Sequence, residues 1–192
     1  MLKPTASAED GYGAAERTLM GPIACGMACL MQGRYDLAER EIKRHIDLCE
    51  SLPRLDWIGF GKAILACIDY YKGNLVGAKQ NLQQALENAE AQGFYATYIH
   101  SLALLARMLA EAGEVEGAVE VYATACSHPV TSNSKYFDDL FGRHVADRAC
   151  HLPAEKVEAA RARGRSLTLS QAGEKYLVML KDPAGLLANL YA

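Results

Sequence analysis

Gly33-Arg34-Tyr35-Asp36-Leu37-Ala38, Gly73-Asn74-Leu75-Val76-Gly77-Ala78 and Gly113-Glu114-Val115-Glu116-Gly117-Ala118 share one pattern, G-x-[YLV]-x-x-A, at a spacing of 40 residues. The same shift lays Gly26 over Ala66 and Ala106, seven residues before each glycine, and Ile42 over Leu82 and Tyr122, nine residues after it. Self-similarity at a fixed period of this size is the mark of a solenoid, in which each unit buries its apolar face by stacking on its neighbours. Each residue type in the pattern has a physical reason. A glycine between two periodic segments can end the first helix in the left-handed conformation at little cost. Small residues at Gly26, Ala66, Ala106, Ala38, Ala78 and Ala118 let paired helices approach closely, and Ile42, Leu82 and Tyr122 fill the space beyond.

Apolar spacing supports helices on both sides of each glycine, as in Ile64, Leu65, Ile68 and Tyr71, or Ile99, Leu102, Leu105, Ala106 and Leu109. The alternation that a strand requires is absent. Paired helices are expected near 14–32 and 35–51, 55–72 and 75–92, and 95–112 and 115–127, with Pro53 and Gly93 between the pairs.

The glycine turn, the small residues around it and the antiparallel pairing resemble tetratricopeptide repeats over residues 14 to 127. The period is about six residues longer than the usual 34, which helices longer by nearly a turn each would supply; a HEAT-like array is the runner-up. The resemblance implies an all-α, right-handed α-solenoid of about three 40-residue helix pairs (14–53, 54–93 and 94–133) with C-terminal capping helices over 134–181. Residues 1–13 are expected to be a flexible N-terminus and 182–192 a tail or short terminal helix.

After the repeats, His128 to Lys135 is rich in Pro, Ser, Thr and Asn and reads as a loop, and helical character returns over Tyr136–Cys150 and Ala154–Arg163. The segment Gly164-Arg165-Ser166-Leu167-Thr168-Leu169-Ser170-Gln171-Ala172 resembles a short element that closes the helical-repeat region of large ATP-binding bacterial transcriptional regulators of LuxR or maltose-activator type. There a glycine and a G-R-x-L-x-L turn lead into a further helix, for which Ser170 is the expected N-cap here and Lys181 the expected end. That likeness implies a regulatory, signal-receiving role. The chain itself carries neither an ATPase nor a DNA-binding module: Gly59-Phe60-Gly61-Lys62 is followed by Ala63 and is not a phosphate loop.

Composition narrows the classes of function. A net charge of -3 with pI near 6.0 offers no basic footprint for phosphate neutralisation, so direct nucleic-acid binding is not expected. No apolar run approaches the length that spans a bilayer, and Met1–Gly13 does not match a secretory signal, so a cytoplasmic address is the expectation. The six cysteines (Cys25, Cys29, Cys49, Cys67, Cys126, Cys150) form no C-x-x-C and lie mostly in apolar helical patterns, which reads as reduced, buried thiols without a metal.

In the tetratricopeptide arrangement the first helix of each pair lines a concave groove. The register then assigns inward positions to Met20, Ile23, Met27, Leu30 and Met31, then Phe60, Ala63, Cys67, Tyr70 and Tyr71, then His100, Ala103, Arg107, Ala110 and Glu111. Such a stripe runs from a methionine-rich end that suits adaptable apolar recognition, through a tyrosine pair, to a small polar end. Three readings stay open for it: an open groove for a protein or peptide partner, self-packing under a C-terminal helix Ala184–Tyr191, or a homodimer face on the first repeat. Arg107 could grip a ligand carboxylate or phosphate, or pair internally with Glu111 four residues on. The lysine and asparagine of a chaperone-tail clamp are absent from these positions.

The histidines at 45, 100, 128, 144 and 151 stand beside no nucleophile at motif spacing, and the cluster of Asp138, Asp139 and His144 reads as a solvated surface. The expected function is therefore a non-catalytic binding module for protein–protein interaction in bacterial regulation or signalling, with no cofactor. A small-molecule effector arm of a regulator is the alternative, and an enzyme the distant one.

Overall fold

The computed structural model describes residues 8–52 and 54–182. Six consecutive helices form three antiparallel pairs: α1 (Ala8–Met31) with α2 (Tyr35–Ser51), α3 (Leu55–Tyr71) with α4 (Leu75–Gln92), and α5 (Tyr95–Glu111) with α6 (Val115–Ala125). Each pair packs on the next, and no strand occurs among the described residues, so the chain is an all-α helical-repeat solenoid. Helices of 17 and 18 residues in α3 and α4, joined by short turns, fill the 40-residue period.

The three pattern glycines end the first helix of each pair in the same way. Gly33, Gly73 and Gly113 have φ of 71°, 79° and 89°, a conformation costly for any residue with a Cβ. The following amide reaches back over the turn, Arg34 N to Cys29 O at 2.9 Å, Asn74 N to Asp69 O at 2.8 Å and Glu114 N to Leu109 O at 2.9 Å. These are Schellman closures, which satisfy carbonyls that the helix end would otherwise orphan. Past each turn Ala38, Ala78 and Ala118 are fully buried, as are Ile42 and Leu82. A Cβ on Gly26 would collide with the Ile42 side chain, so the small residue sets the interhelical distance.

The C-terminal third departs from the repeat. A single turn, α7 (Pro129–Ser132), occupies the expected loop, and α8 (Lys135–Phe137) runs through a π-helical turn over Asp138–Gly142 into α9 (Arg143–Ala149). This composite helix lies against α5 and α6. α10 (Ala154–Ser166) packs along α6, and α11 (Leu169–Lys181) crosses α4, α5 and α6.

Three expectations need correction. α1 starts at Ala8, so residues 8–13 belong to the first helix. Gly164 lies inside α10 rather than in a turn: a Cβ there would overlap the Glu120 carbonyl oxygen, so glycine is what allows α10 to seat on α6, where Thr124 Oγ1 donates to Gly164 O at 2.9 Å. The N-cap of α11 is Thr168, two residues before Ser170, because Thr168 and Gln171 form a reciprocal capping box. The expected helix over Ala184–Tyr191 lies outside the described residues.

The closing helices are held by a buried carboxylate. Glu120 of α6, 6% exposed, accepts from Arg163 Nε at 2.8 Å, from Tyr176 Oη at 3.2 Å and from Lys175. Burial acts to raise its pKa, but the hydrogen bonds from Lys175 and Arg163 outweigh it and hold the carboxyl below its usual value.

Candidate functional site

The first helices α1, α3 and α5 carry the stripe read from the sequence, and the structure divides it into three parts. Ile23, Leu30, Ala63, Cys67, Ala103 and Ala110 are buried among the helices. Tyr70, Tyr71, Arg107 and Glu111 form one hydrogen-bonded cluster. Phe60 and His100, with the half-buried Met27 and the exposed Met20, line an aromatic cavity; Met31 is exposed and stands apart from it.

Packed against the Arg107 cluster and His100 is α8 with its π-helical turn. Phe137, Leu140 and Phe141 are buried, with the Phe137 ring 4.7 Å from His100, which in turn lies 4.9 Å from Phe60. The wider π-helical turn presents the Leu140 carbonyl to the cluster: Tyr71 Oη donates to it at 2.7 Å and an Arg107 terminal nitrogen at 2.8 Å. Arg107 also donates to Tyr71 Oη at 2.6 Å, to Tyr70 Oη at 3.1 Å and to Glu111 at 3.2 Å, and its guanidinium lies over both tyrosine rings. With its side chain only 13% exposed, Arg107 is engaged by the protein's own groups as a tie between repeats. Burial pushes the hydroxyls of Tyr70 and Tyr71 up, which keeps them as neutral hydrogen-bonding groups.

The cavity has a volume of about 480 Å³, in the range of small-molecule sites. Trp57 and Phe60 from the start of α3, and Phe94, Tyr95, Ile99 and His100 from the start of α5, form one wall; Met20 and Met27 close one side, and Val130, Ser134, Tyr136 and Phe137 the other. Around its mouth three large apolar side chains face water, Met20 at 48%, Tyr95 at 45% and Val130 at 47% exposure. No Asp, Glu, Lys or Arg lines it among the described residues.

Two polar groups in this apolar wall lack partners. His100 is 4% exposed. Its Nδ1 lies 2.8 Å from the Ala96 carbonyl, which can only accept, so Nδ1 carries the proton and Nε2 offers a lone pair. Burial holds the imidazole neutral, with its pKa pushed down to about 4. Neither His100 Nε2 nor the Tyr136 hydroxyl has a hydrogen-bond partner among the described residues, although both atoms are buried.

Trp57, Phe94, Tyr95, Val130, Tyr136 and Phe137 escaped the sequence reading. The 40-residue shift superposes Phe60 on His100, so that column was available, but the flanking aromatics occupy non-equivalent columns and Tyr136 and Phe137 lie beyond the repeats.

A second cavity of about 570 Å³ lies between α6, α9 and α10, with Tyr122, Cys126, Arg161 and Arg165 in its wall. Arg161 pairs with Glu158 at 2.6 Å.

The cysteines are free thiols. Cys29, Cys49 and Cys67 are buried, whereas Cys25 and Cys150 are exposed and Cys126 is intermediate, so the expectation of buried thiols holds for only part of the set. Among the described residues no group of three His, Cys, Asp or Glu side chains is placed to hold a metal ion, and no helix is long and apolar enough to cross a membrane. Asp139 pairs with Lys135 and Arg143 on the surface, apart from the cavity. Comparison with protein-family models, with curated proteins and with solved structures gives no match.

Proposed function

We propose that the chain is a non-catalytic binding module of tetratricopeptide type whose site is the aromatic cavity between the starts of α3 and α5 rather than the length of the inward stripe. One observation carries this reading: the stripe is taken up by the core, by the Arg107 cluster and by α8, while the cavity keeps an uncharged, largely aromatic lining and an exposed apolar mouth. A compact ligand fits that shape better than an extended peptide, which favours the small-molecule effector reading. A place in bacterial regulation rests on the resemblance of the Gly164–Ala172 segment to the closing element of regulator arms.

The test uses toluene, which has no hydrogen-bonding group, and the full-length protein labelled with 15N. Trp57 is the chain's single tryptophan, so its indole N–H gives one resonance from within the site. Toluene is expected to move that resonance saturably, and Ala96→Phe, which projects a ring into the cavity, to abolish the movement while cooperative unfolding persists. A resonance indifferent to toluene would remove the site.

A protein partner is the second reading, favoured by the exposed rim of Met20, Tyr95 and Val130, since an anchoring side chain set in a pocket within an apolar surround is how hot spots bind. A homodimer through this rim is the simplest case. Met20→Glu with Tyr95→Glu would then lower the molar mass measured by light scattering; an unchanged mass at all concentrations would exclude the dimer.

A further inference from the structure

The cavity of about 570 Å³ between α6, α9 and α10 differs in kind from the aromatic one. Its apolar wall is small and mostly aliphatic: Val119 and Ala123 come from α6, Val145, Ala146 and Ala149 from α9, and Tyr122 is the one aromatic residue among those that line it. A neighbouring cavity of about 370 Å³ shares Ala146, Ala149 and Arg161 with it and adds Leu152 and Val157, so apolar surface continues beyond Ala149. Such walls suit a slender aliphatic chain, whereas a flat ring is better served by aromatic faces and edges.

Three charged side chains line the larger cavity, Asp138, Arg161 and Arg165. Arg161 is paired with Glu158 at 2.6 Å, and Asp138 faces Arg143 at 3.7 Å. Arg165, four residues beyond Arg161 and so on the same face of α10, has neither an ion pair nor a hydrogen bond among the described residues. One uncompensated positive charge therefore stands beside an apolar cavity. A guanidinium meets a carboxylate with two parallel N–H donors. A phosphate monoester, with its charge of nearly -2 at neutral pH, would exceed the one free positive charge and share the cavity with Asp138.

We infer that this cavity takes an aliphatic monocarboxylate, its carboxylate on Arg165 and its chain along Val119, Val145 and Ala149. The two cavities share no lining residue, so the inference does not depend on the aromatic cavity being a binding site.

Cys126 lies in the wall and is only partly buried. Its rate of modification by N-ethylmaleimide in the full-length protein, read by mass spectrometry after digestion, therefore reports occupancy. At neutral pH octanoate is expected to slow modification of Cys126 saturably, while the exposed Cys25 on α1 reacts at an unchanged rate. The dissociation constants obtained from this protection should tighten about three- to fourfold per methylene from butyrate to octanoate, the increment for burying one methylene. 1-Octanol and octyl phosphate should each bind more weakly than octanoate, and octylamine should give no protection. Arg165→Gln, at an exposed position, should weaken octanoate about fivefold, the upper end for an ion pair open to water, and leave 1-octanol unchanged. Circular dichroism and cooperative unfolding establish that the variant is folded.

Cys126 modified at an unchanged rate in millimolar octanoate would overturn the inference. So would 1-octanol or octyl phosphate binding as tightly as octanoate, protection by octylamine, an affinity indifferent to chain length, or octanoate binding undiminished in Arg165→Gln. The comparison among ligands is made on the native protein, so it decides the matter whether or not the variant folds.

Discussion

Arg107 on α5 and Leu140 in the π-helical turn are joined by a 2.8 Å hydrogen bond from guanidinium to backbone carbonyl. The carbonyl also receives Tyr71 Oη, so the second repeat, the third repeat and the composite C-terminal helix meet at one oxygen. A π-helical turn spaces its bonds from residue i to i+5, as in Arg143 N to Asp138 O, and that wider spacing leaves a carbonyl able to face a side-chain donor.

Removing Arg107 should therefore loosen the cover over the inner face as well as lower overall stability. Arg107→Met keeps the stem and deletes hydrogen bonds to Tyr70, Tyr71, Leu140 and Glu111. A cost of about 2–3 kcal/mol is expected in urea unfolding, the range for hydrogen bonds from a charged group in a poorly solvated site. Arg107→Lys should recover less than half, since an ammonium cannot offer the planar fork that serves several acceptors at once. Full recovery by lysine would show that charge alone matters here.

Much of this architecture is legible in the sequence, and the boundary of what is legible follows the repeat. Gly33, Gly73 and Gly113 announce their turns because a left-handed φ leaves few other choices. Ala38, Ala78 and Ala118 announce close packing because the same contact recurs three times. Arg107 with Glu111 is visible as a pair four residues apart, and the structure shows that pair. Its ties to Tyr70 and Leu140 are not visible, because they cross 37 and 33 residues of chain and depend on where α8 lands. Tyr136 and Phe137 look like ordinary cap residues for the same reason. Gly164 shows why local pattern misleads at the end of a repeat: a glycine read as a turn is a contact point within the last turn of α10.

That contact gives a paired prediction. Gly164→Ala should destabilise by about 2–3 kcal/mol, because the new methyl meets the Glu120 carbonyl and the Ala123 methyl rather than a flexible side-chain end. Gly117→Ala, also in a helix, places its methyl at an ordinary 3.8 Å from Leu109 and should stabilise by about 0.5–1 kcal/mol through helix propensity. Chemical denaturation of the two variants checks the pair; similar values would mean that α10 can slide away from α6 at little cost.

Acid should expose the buried histidine. His100 folded has a pKa near 4, below the roughly 6.5 of an unfolded histidine. Between those values the unfolded chain binds the additional proton. Stability is therefore complete above about pH 6.5 and falls by about 1.4 kcal/mol per pH unit as pH drops toward 4. His45, buried between the carbonyls of Leu19 and Trp57, has its pKa lowered by burial and adds loss of the same sign. Glu120 acts in a lower window, since a carboxyl held below its usual value loses its stabilising charge only under more acidic conditions. Urea unfolding from pH 7 to 4 should show the slope, and His100→Phe should remove the share due to His100. An unchanged slope in that variant would mean that His100 is already protonated in the fold.

Thiol labelling can report how firmly the composite helix covers the inner face. Cys25 and Cys150 are exposed, while Cys67 is fully buried on α3, close enough to Tyr136 to add to the upward push that burial gives the Tyr136 hydroxyl. Burial pushes the Cys67 thiol up, so little thiolate is present while the helix stays closed. In the native protein N-ethylmaleimide should modify Cys150 and Cys25 quickly and Cys67 only through opening. Cys25 should lag behind Cys150, because desolvation and the neighbouring Cys29 raise its pKa. If opening is the release of α8 held by the Arg107–Leu140 bond, a loss of about 2 kcal/mol in Arg107→Met raises Cys67 labelling roughly 30-fold, with Cys150 unaffected. Mass spectrometry of digested samples separates the sites. An opening free energy for Cys67 in the unaltered protein equal to that of global unfolding by urea would mean that α8 does not lift on its own and that Cys67 is reached only when the whole fold opens.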